Sequence, residues 1–133
     1  MKELIWDDAL SVQVHEIDED HRRLVDLFNM LNRSVTEECA SNYIEAVLEE
    51  LISCTIWHFR HEERLMLKYD YAGLLEHKAE HQELIESARE LQQKLLQEGK
   101  SISSEDIESL EHWLTGHIFG ADMELGSYLG EVM

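Results

Sequence analysis

Four residues in the stretch HFRHEERLMLKYDYAGLLEHKAEH, residues 58–81, have the types and the spacing of metal ligands: His58 with Glu62, and His77 with His81. Residues four apart on an α-helix differ by only about 40° around its axis, so each pair offers two lone-pair donors to one point in space. On a charged helix such a pair is more often part of a solvated face than a chelator. What separates the two readings is where each pair falls in the apolar pattern.

Four amphipathic stretches must position these residues. His21, Leu24, Val25, Phe28, Leu31 and Val35 recur at steps of three and four and predict a first helix over about residues 18–38, with Asp18, Glu19 and Asp20 placing negative charge at its N-terminus. A second helix, capped by Ser41 or Asn42, runs a core face through Ile44, Val47, Leu48, Leu51, Ile52, Thr55, His58, Glu62, Leu65 and Met66. After a break at residues 69–73, a third helix to about Gln97 keeps His77, His81, Leu84, Ala88, Leu91 and Leu95 in phase. Gly99 ends it, a polar loop follows over residues 100–103, and Ser103 or Ser104 with Glu105 and Asp106 opens a fourth, whose stripe is Ile107, Leu110, Leu114 and His117. Residues 1–17 carry apolar side chains with no helical period and predict an extended arm anchored by Trp6. Short loops between four amphipathic helices predict an all-α fold, an up-down-up-down four-helix bundle over residues 18–132 within a single domain spanning 1–133.

Composition agrees and excludes several functions. The chain has 133 residues, 44% hydrophobic but only 8% aromatic, and no proline, which favours helices over sheet. A formal net charge of −18 opposes binding to nucleic acid or to an anionic membrane surface. Cys39 and Cys54 form no C-x-x-C and predict neither a thiolate metal site nor a disulfide framework. The acidic N-terminus has no long apolar run, so neither a secretory signal nor a membrane anchor is expected, and a cytoplasmic location follows.

His21, His58, Glu62, His77, His81 and His117 all lie on apolar stripes, and all four predicted helices contribute. One such residue is most simply a core histidine satisfied by a hydrogen bond. Six are not: each buried ionisable group without a partner costs on the order of several kcal/mol, against a net stability of about 5–15 kcal/mol for a whole domain. A bound metal resolves the conflict. Asp122 follows His117 by five residues, which on a regular helix leaves it about 140° off. Gly116, Gly120 and Gly126 crowd this stretch, however, and a helix that widens or breaks there brings Asp122 to the site as a seventh donor. Five imidazoles and two carboxylates exceed the four ligands of a tetrahedral zinc and suit two metals, with carboxylates bridging ions roughly 3.5–4 Å apart. Nitrogen and oxygen donors without sulfur fit iron, although spacing leaves manganese and zinc open. No glutamate stands three residues before a histidine, which argues against the Glu-x-x-His di-iron carboxylate enzymes.

The motifs D-E-D-H, H-F-x-x-E-E-x-x-M, Y-A-G-x-x-E-H-x-x-x-H and W-L-x-x-H-I-x-x-x-D resemble those of the hemerythrins, and the similarity runs from Trp6 to about Tyr128. The resemblance implies a non-haem di-iron site that binds O2 reversibly, with His77, His81 and His117 on one iron and His21 and His58 on the other. Glu62 and Asp122 would bridge the two together with a solvent-derived oxo or hydroxo group. The two-histidine iron would keep the open position, where O2 becomes a bound hydroperoxide as both irons pass from ferrous to ferric. Trp113, Leu114 and Ile118 match family positions that line the O2 pocket, and the acidic chain is more similar to the bacterial branch than to the invertebrate carriers.

His15, His61 and His112 are left over and are not assigned to metal: His61 stands about 60° from His58 around the helix, His15 lies in the arm, and His112 is out of phase with His117. Glu63 lacks the i+4 relation to His58 that Glu62 has. Met66 and Trp113 are by position alone ordinary core residues. The expected function is O2 storage, delivery to an oxygen-consuming enzyme, or sensing. The runner-up is a di-iron enzyme acting on peroxide or nitric oxide, with His61 or Glu63 delivering protons. A chain that starts at Met1 with no fused signalling segment weighs against the sensor.

Overall fold

A computed structural model describes residues 4–96 and 102–133. Helix α1 spans His15–Thr36, α2 Ser41–Lys68, α3 Leu74–Leu96 and α4 Ser104–His117. From α4 the backbone continues without interruption through a π-helical turn, Ile118–Asp122, into α5, Met123–Val132, so these three segments form one rod. Four rods therefore build an all-α bundle: α1 packs along α2, α2 along α3, and α4 closes against α1 and α3. Its core is aliphatic, with Ile17, Leu31, Leu48, Ile107, Ile118, Leu125 and Leu129 fully buried.

Local chemistry sets the ends of the rods. Both α1 and α2 stop in Schellman turns built without glycine. The Cys39 amide donates to the Ser34 carbonyl over Glu38 at φ 54°, and the Tyr71 amide to the Met66 carbonyl over Asp70 at φ 52°. Ser103 caps α4 in a reciprocal box with Asp106, as its sequence predicts. The expected stop of α3 at Gln97 and Gly99, and most of the polar loop after it, lie outside the described residues.

Helix α1 begins three residues earlier than its apolar period indicates. Asp18 does not sit at the helix start; its carboxylate accepts from the Val12 amide at 2.8 Å and from the Ser11 hydroxyl at 2.6 Å. It thereby ties the preceding segment to the first turn, and α1 starts at His15. Before α1 the chain is a short 3-10 turn, Asp8–Leu10, flanked by extended residues, with Leu10, Val12 and Val14 buried. Arg22 lies over the ring of Trp6, 5.2 Å from its centroid, and Asn29 holds the Leu4 backbone at both its amide and its carbonyl. Gly126 lets this segment lie on α5, because a Cβ there would collide with the Val12 carbonyl oxygen. Its role is thus close packing rather than loosening of the helix near Asp122.

Candidate metal centre

The bundle brings His21 from α1, His58 and Glu62 from α2, His77 and His81 from α3, His117 from α4 and Asp122 from the π turn to one buried place, none more than 4% exposed. They form two groups that share both carboxylates. One donor atom from each of Glu62, His77, His81, His117 and Asp122 lies within 4.8 Å of the rest, and the same holds for His21, His58, Glu62 and Asp122.

The carboxylates divide their oxygens between the groups. Asp122 Oδ1 lies 3.1 Å from Nε2 of both His77 and His117, while Asp122 Oδ2 lies 2.8 Å from His21 Nε2. Glu62 Oε1 lies 3.0 Å from His81 Nε2 and 3.5 Å from His77 Nε2, while Glu62 Oε2 faces His58 Nε2 at 3.6 Å. The π turn makes the first pattern possible. In i→i+5 hydrogen bonding, residues five apart replace residues four apart as vertical neighbours, which swings Asp122 under His117. Gly116 and Gly120 flank open space, so no steric demand for glycine is visible at either.

Without a cation these contacts leave polar atoms in conflict. Nε2 of His21, His58, His77 and His117, Glu62 Oε2 and both Asp122 oxygens are buried with no hydrogen-bond partner. Burial opposes charge on His117 and His77, but the nearby Asp122 and Glu62 carboxylates prevail and raise these imidazoles from 6.5 to about 11 and about 9. Burial and the Glu62 charge push Asp122 upward, yet the close imidazoles of His117, His21 and His77 bring it to about 2. Glu62 is held well below 4.5 against its own burial by the His58 charge and by the imidazoles of His117, His77 and His81. Protons and cations therefore compete for one set of lone pairs, as they do at any site of nitrogen and oxygen ligands. The orphaned lone pairs, turned inward from five helical segments, fit a metal centre.

The outer ring nitrogens reveal residues that the apolar pattern alone does not pick out. Asp20 Oδ2 accepts from His58 Nδ1 at 2.8 Å, Glu63 Oε2 lies 3.0 Å from His81 Nδ1, and Glu80 Oε1 lies 2.6 Å from His117 Nδ1. Each of α1, α2 and α3 thus supplies a carboxylate to a histidine on the next helix. Each carboxylate is also the sequence neighbour of a site residue: Asp20 precedes His21, Glu63 follows Glu62, and Glu80 precedes His81. Adjacent residues differ by about 100° around a helix, so when one points into the centre the next faces the adjoining rod. That adjacency is the signal by which sequence could have found them.

Trp113, Leu114 and Ile118 line a cavity of about 10 Å³ beside the centre, together with Leu24, Thr55, Phe59 and Leu84. Phe59 also stacks on the His81 ring at 3.8 Å. Neither His61 nor Glu63 lines this cavity. His15 and His112 are exposed, and Met66 is a fully buried core residue.

A four-rod bundle whose rods carry five histidines and two shared carboxylates in its interior is a metal-binding fold, and comparison with known proteins says which one. Residues 12–129 match the Hemerythrin HHE cation binding domain, so the chain belongs to the hemerythrin family. It is 34% identical over 119 residues to the bacteriohemerythrin of Stenotrophomonas maltophilia (strain R551-3), covering 90% of this chain and 76% of that protein. It is 29% identical to the myohemerythrin of Riftia pachyptila, covering 90% and 88%. The crystal structure of a wild-type hemerythrin superposes with a TM-score of 0.88 at 28% identity, covering 95% of this chain and 97% of that one.

Proposed function

We propose that this chain binds O2 reversibly at a centre of two iron ions, the 133 residues acting as one hemerythrin domain. The observation that carries this reading is the division of the two buried carboxylates: each turns one oxygen to the three-histidine group and the other to the two-histidine group. His77, His81 and His117 would hold one iron, His21 and His58 the other, and Glu62 and Asp122 would bridge them with an oxo or hydroxo group. Two irons held there would supply the electrons for reversible O2 binding.

The chain's own residues do the rest. They fix five imidazoles and two carboxylates in place, and they keep water out. The adjoining cavity of about 10 Å³ is walled by Leu24, Phe59, Leu84, Trp113, Leu114 and Ile118. That is about the least volume that admits one small molecule, and an apolar wall offers water few partners. The residues suited to passing a proton, His61 and Glu63, are engaged outside the ligand shell, with Asp20 and Glu16 and with His81 respectively. This arrangement suits a binder of O2, for storage, for delivery to an oxygen-consuming enzyme or for sensing. Cys39 and Cys54 are both free thiols, which supports a reducing, cytoplasmic location. Among the described residues no helix is long and apolar enough to cross a membrane.

Metal analysis tests the assignment. The wild type is expected to hold two irons per chain and Glu62→Ala to lose both, because a bridge belongs to both ions. Full occupancy in a folded Glu62→Ala protein would remove Glu62 from the bridging role.

A further inference from the structure

Three histidines of the centre are held from outside by a carboxylate, but only one of those carboxylates is itself held by another histidine. Asp20 Oδ2 accepts from His58 Nδ1 at 2.8 Å and also from His61 Nδ1 at 2.6 Å, while His61 Nε2 lies 3.1 Å from Glu16 Oε2. A carboxylate oxygen can only accept, so Nδ1 of His58 must carry the hydrogen, and its Nε2 is left with a lone pair directed at Glu62 and the centre. His61 is 13% exposed and Asp20 11%, whereas Glu16 is 46% exposed, so the chain of contacts runs from the buried imidazole to the surface of α1 and α2. The ring of Trp57 lies against His61, 5.5 Å between centroids. In the same two-histidine group His21 Nδ1 is buried without any partner. Asp20 is therefore the outer support on which that half of the centre depends.

We propose that Asp20 and His61 are a positioning pair that locks His58 in its Nδ1–H tautomer, and that the two-histidine position, unlike the three-histidine position, owes its metal affinity to this pair. The proposal rests on the assignment of His58 as a ligand through Nε2. His61 acts one step further out, clamping Asp20 between α1 and α2. Loss of a hydrogen-bonding partner behind a ligating histidine typically weakens metal binding about ten- to a hundredfold.

The test uses the full chain labelled with ¹⁵N in its histidines and titrated with Zn²⁺, a diamagnetic probe whose binding and whose effect on each ring nitrogen are read by NMR. In the wild type, two Zn²⁺ are expected per chain, with His58 metal-bound at Nε2 and carrying its hydrogen on Nδ1. Asp20→Ala should populate both tautomers of metal-free His58 and weaken the second Zn²⁺ about ten- to a hundredfold, with the first unchanged. Asp20→Glu should restore both properties at least in part. His61→Ala should keep the tautomer but weaken the second Zn²⁺ by a smaller factor. A folded Asp20→Ala chain that binds the second Zn²⁺ like the wild type overturns the proposal, as does weakening of both sites alike. Should Asp20→Ala fail to fold, unchanged second-site affinity in His61→Ala overturns it. A wild type in which His58 Nε2 does not respond to metal sinks the ligand assignment itself, and the proposal with it, whereas a bound His58 indifferent to Asp20 sinks the proposal alone.

Discussion

Five imidazoles and two carboxylates buried together are in conflict in the absence of a cation, and that conflict has a measurable pH dependence. His77 and His117 are raised from 6.5 to about 9 and about 11 in the folded chain. A raised group stabilises the fold fully below its unfolded value and loses that contribution as pH rises through its folded value. Asp122, lowered from 3.8 to about 2, contributes above 3.8 and loses its contribution as pH falls through 2. Glu62, held well below 4.5, contributes fully only above that value, so the metal-free chain should be most stable between pH 4.5 and 6.5, and its melting temperature should fall from pH 6.5 toward pH 9 and beyond. A melting temperature that rises over that upper interval in chelator-treated protein would contradict these assignments.

A second residue-scale consequence concerns the cavity wall. Leu114 is 7% exposed and faces the same small cavity as His117. Leu114→Ala should cost about 2–5 kcal/mol of stability and admit water beside the centre. Iron content and O2 binding should persist, while the oxygenated protein should decay faster in air. Equal decay rates for wild type and a folded, iron-loaded variant would show that Leu114 does not guard the site.

At the scale of the elements, the π turn Ile118–Asp122 is what reconciles a five-residue spacing with a shared donor position. The extra residue and the widened turn compensate one another. Deleting Gly120, which is exposed and has no neighbour within 4 Å of where its Cβ would be, should let the rod close into regular α-helix with His117 and the aspartate four apart. Metal content should be retained in that deletion variant. Its loss would mean that the π turn itself, and not the alignment it achieves, is required.

The same scale shows what the sequence could and could not disclose. Helical periodicity places His21, His58, Glu62, His77, His81 and His117 because each sits on the stripe that the leucines around it define. Asp122 is off that stripe, and only the π turn brings it in. Asp20, Glu63 and Glu80 escape the same reading because they lie about 100° from the core direction, on faces that look solvated until the next rod is in place. The start of α1 is displaced because Asp18 bonds backward to Ser11 and Val12, a tertiary demand that outranks its favour for a helix terminus. Gly126 answers to the Val12 backbone rather than to the metal centre, a contact between residues 114 apart in sequence that no local pattern encodes.

At the scale of the whole molecule, the bundle holds a buried cluster of five imidazoles and two carboxylates that fits a metal centre inside a chain of formal charge −18. Three of its carboxylates back histidines of that cluster and two stand within it. The extended N-terminal segment, pinned by Asn29, Asp18 and Gly126, covers α1 and α5. On the far side, the Tyr128 hydroxyl donates to the Tyr69 carbonyl and fastens α5 to the turn between α2 and α3. The cavity beside the cluster stays small, about 10 Å³, and is walled in large part by apolar side chains, which suits taking up O2 without consuming it. The central claim is met most directly by one optical measurement on the iron-loaded chain. The anaerobically reduced protein is exposed to O2, then returned to argon, over several cycles. A visible charge-transfer band that appears with O2 and disappears on its removal, with iron content unchanged at two per chain, is the predicted result. A spectrum that changes once on first contact with O2 and never returns would contradict reversible binding.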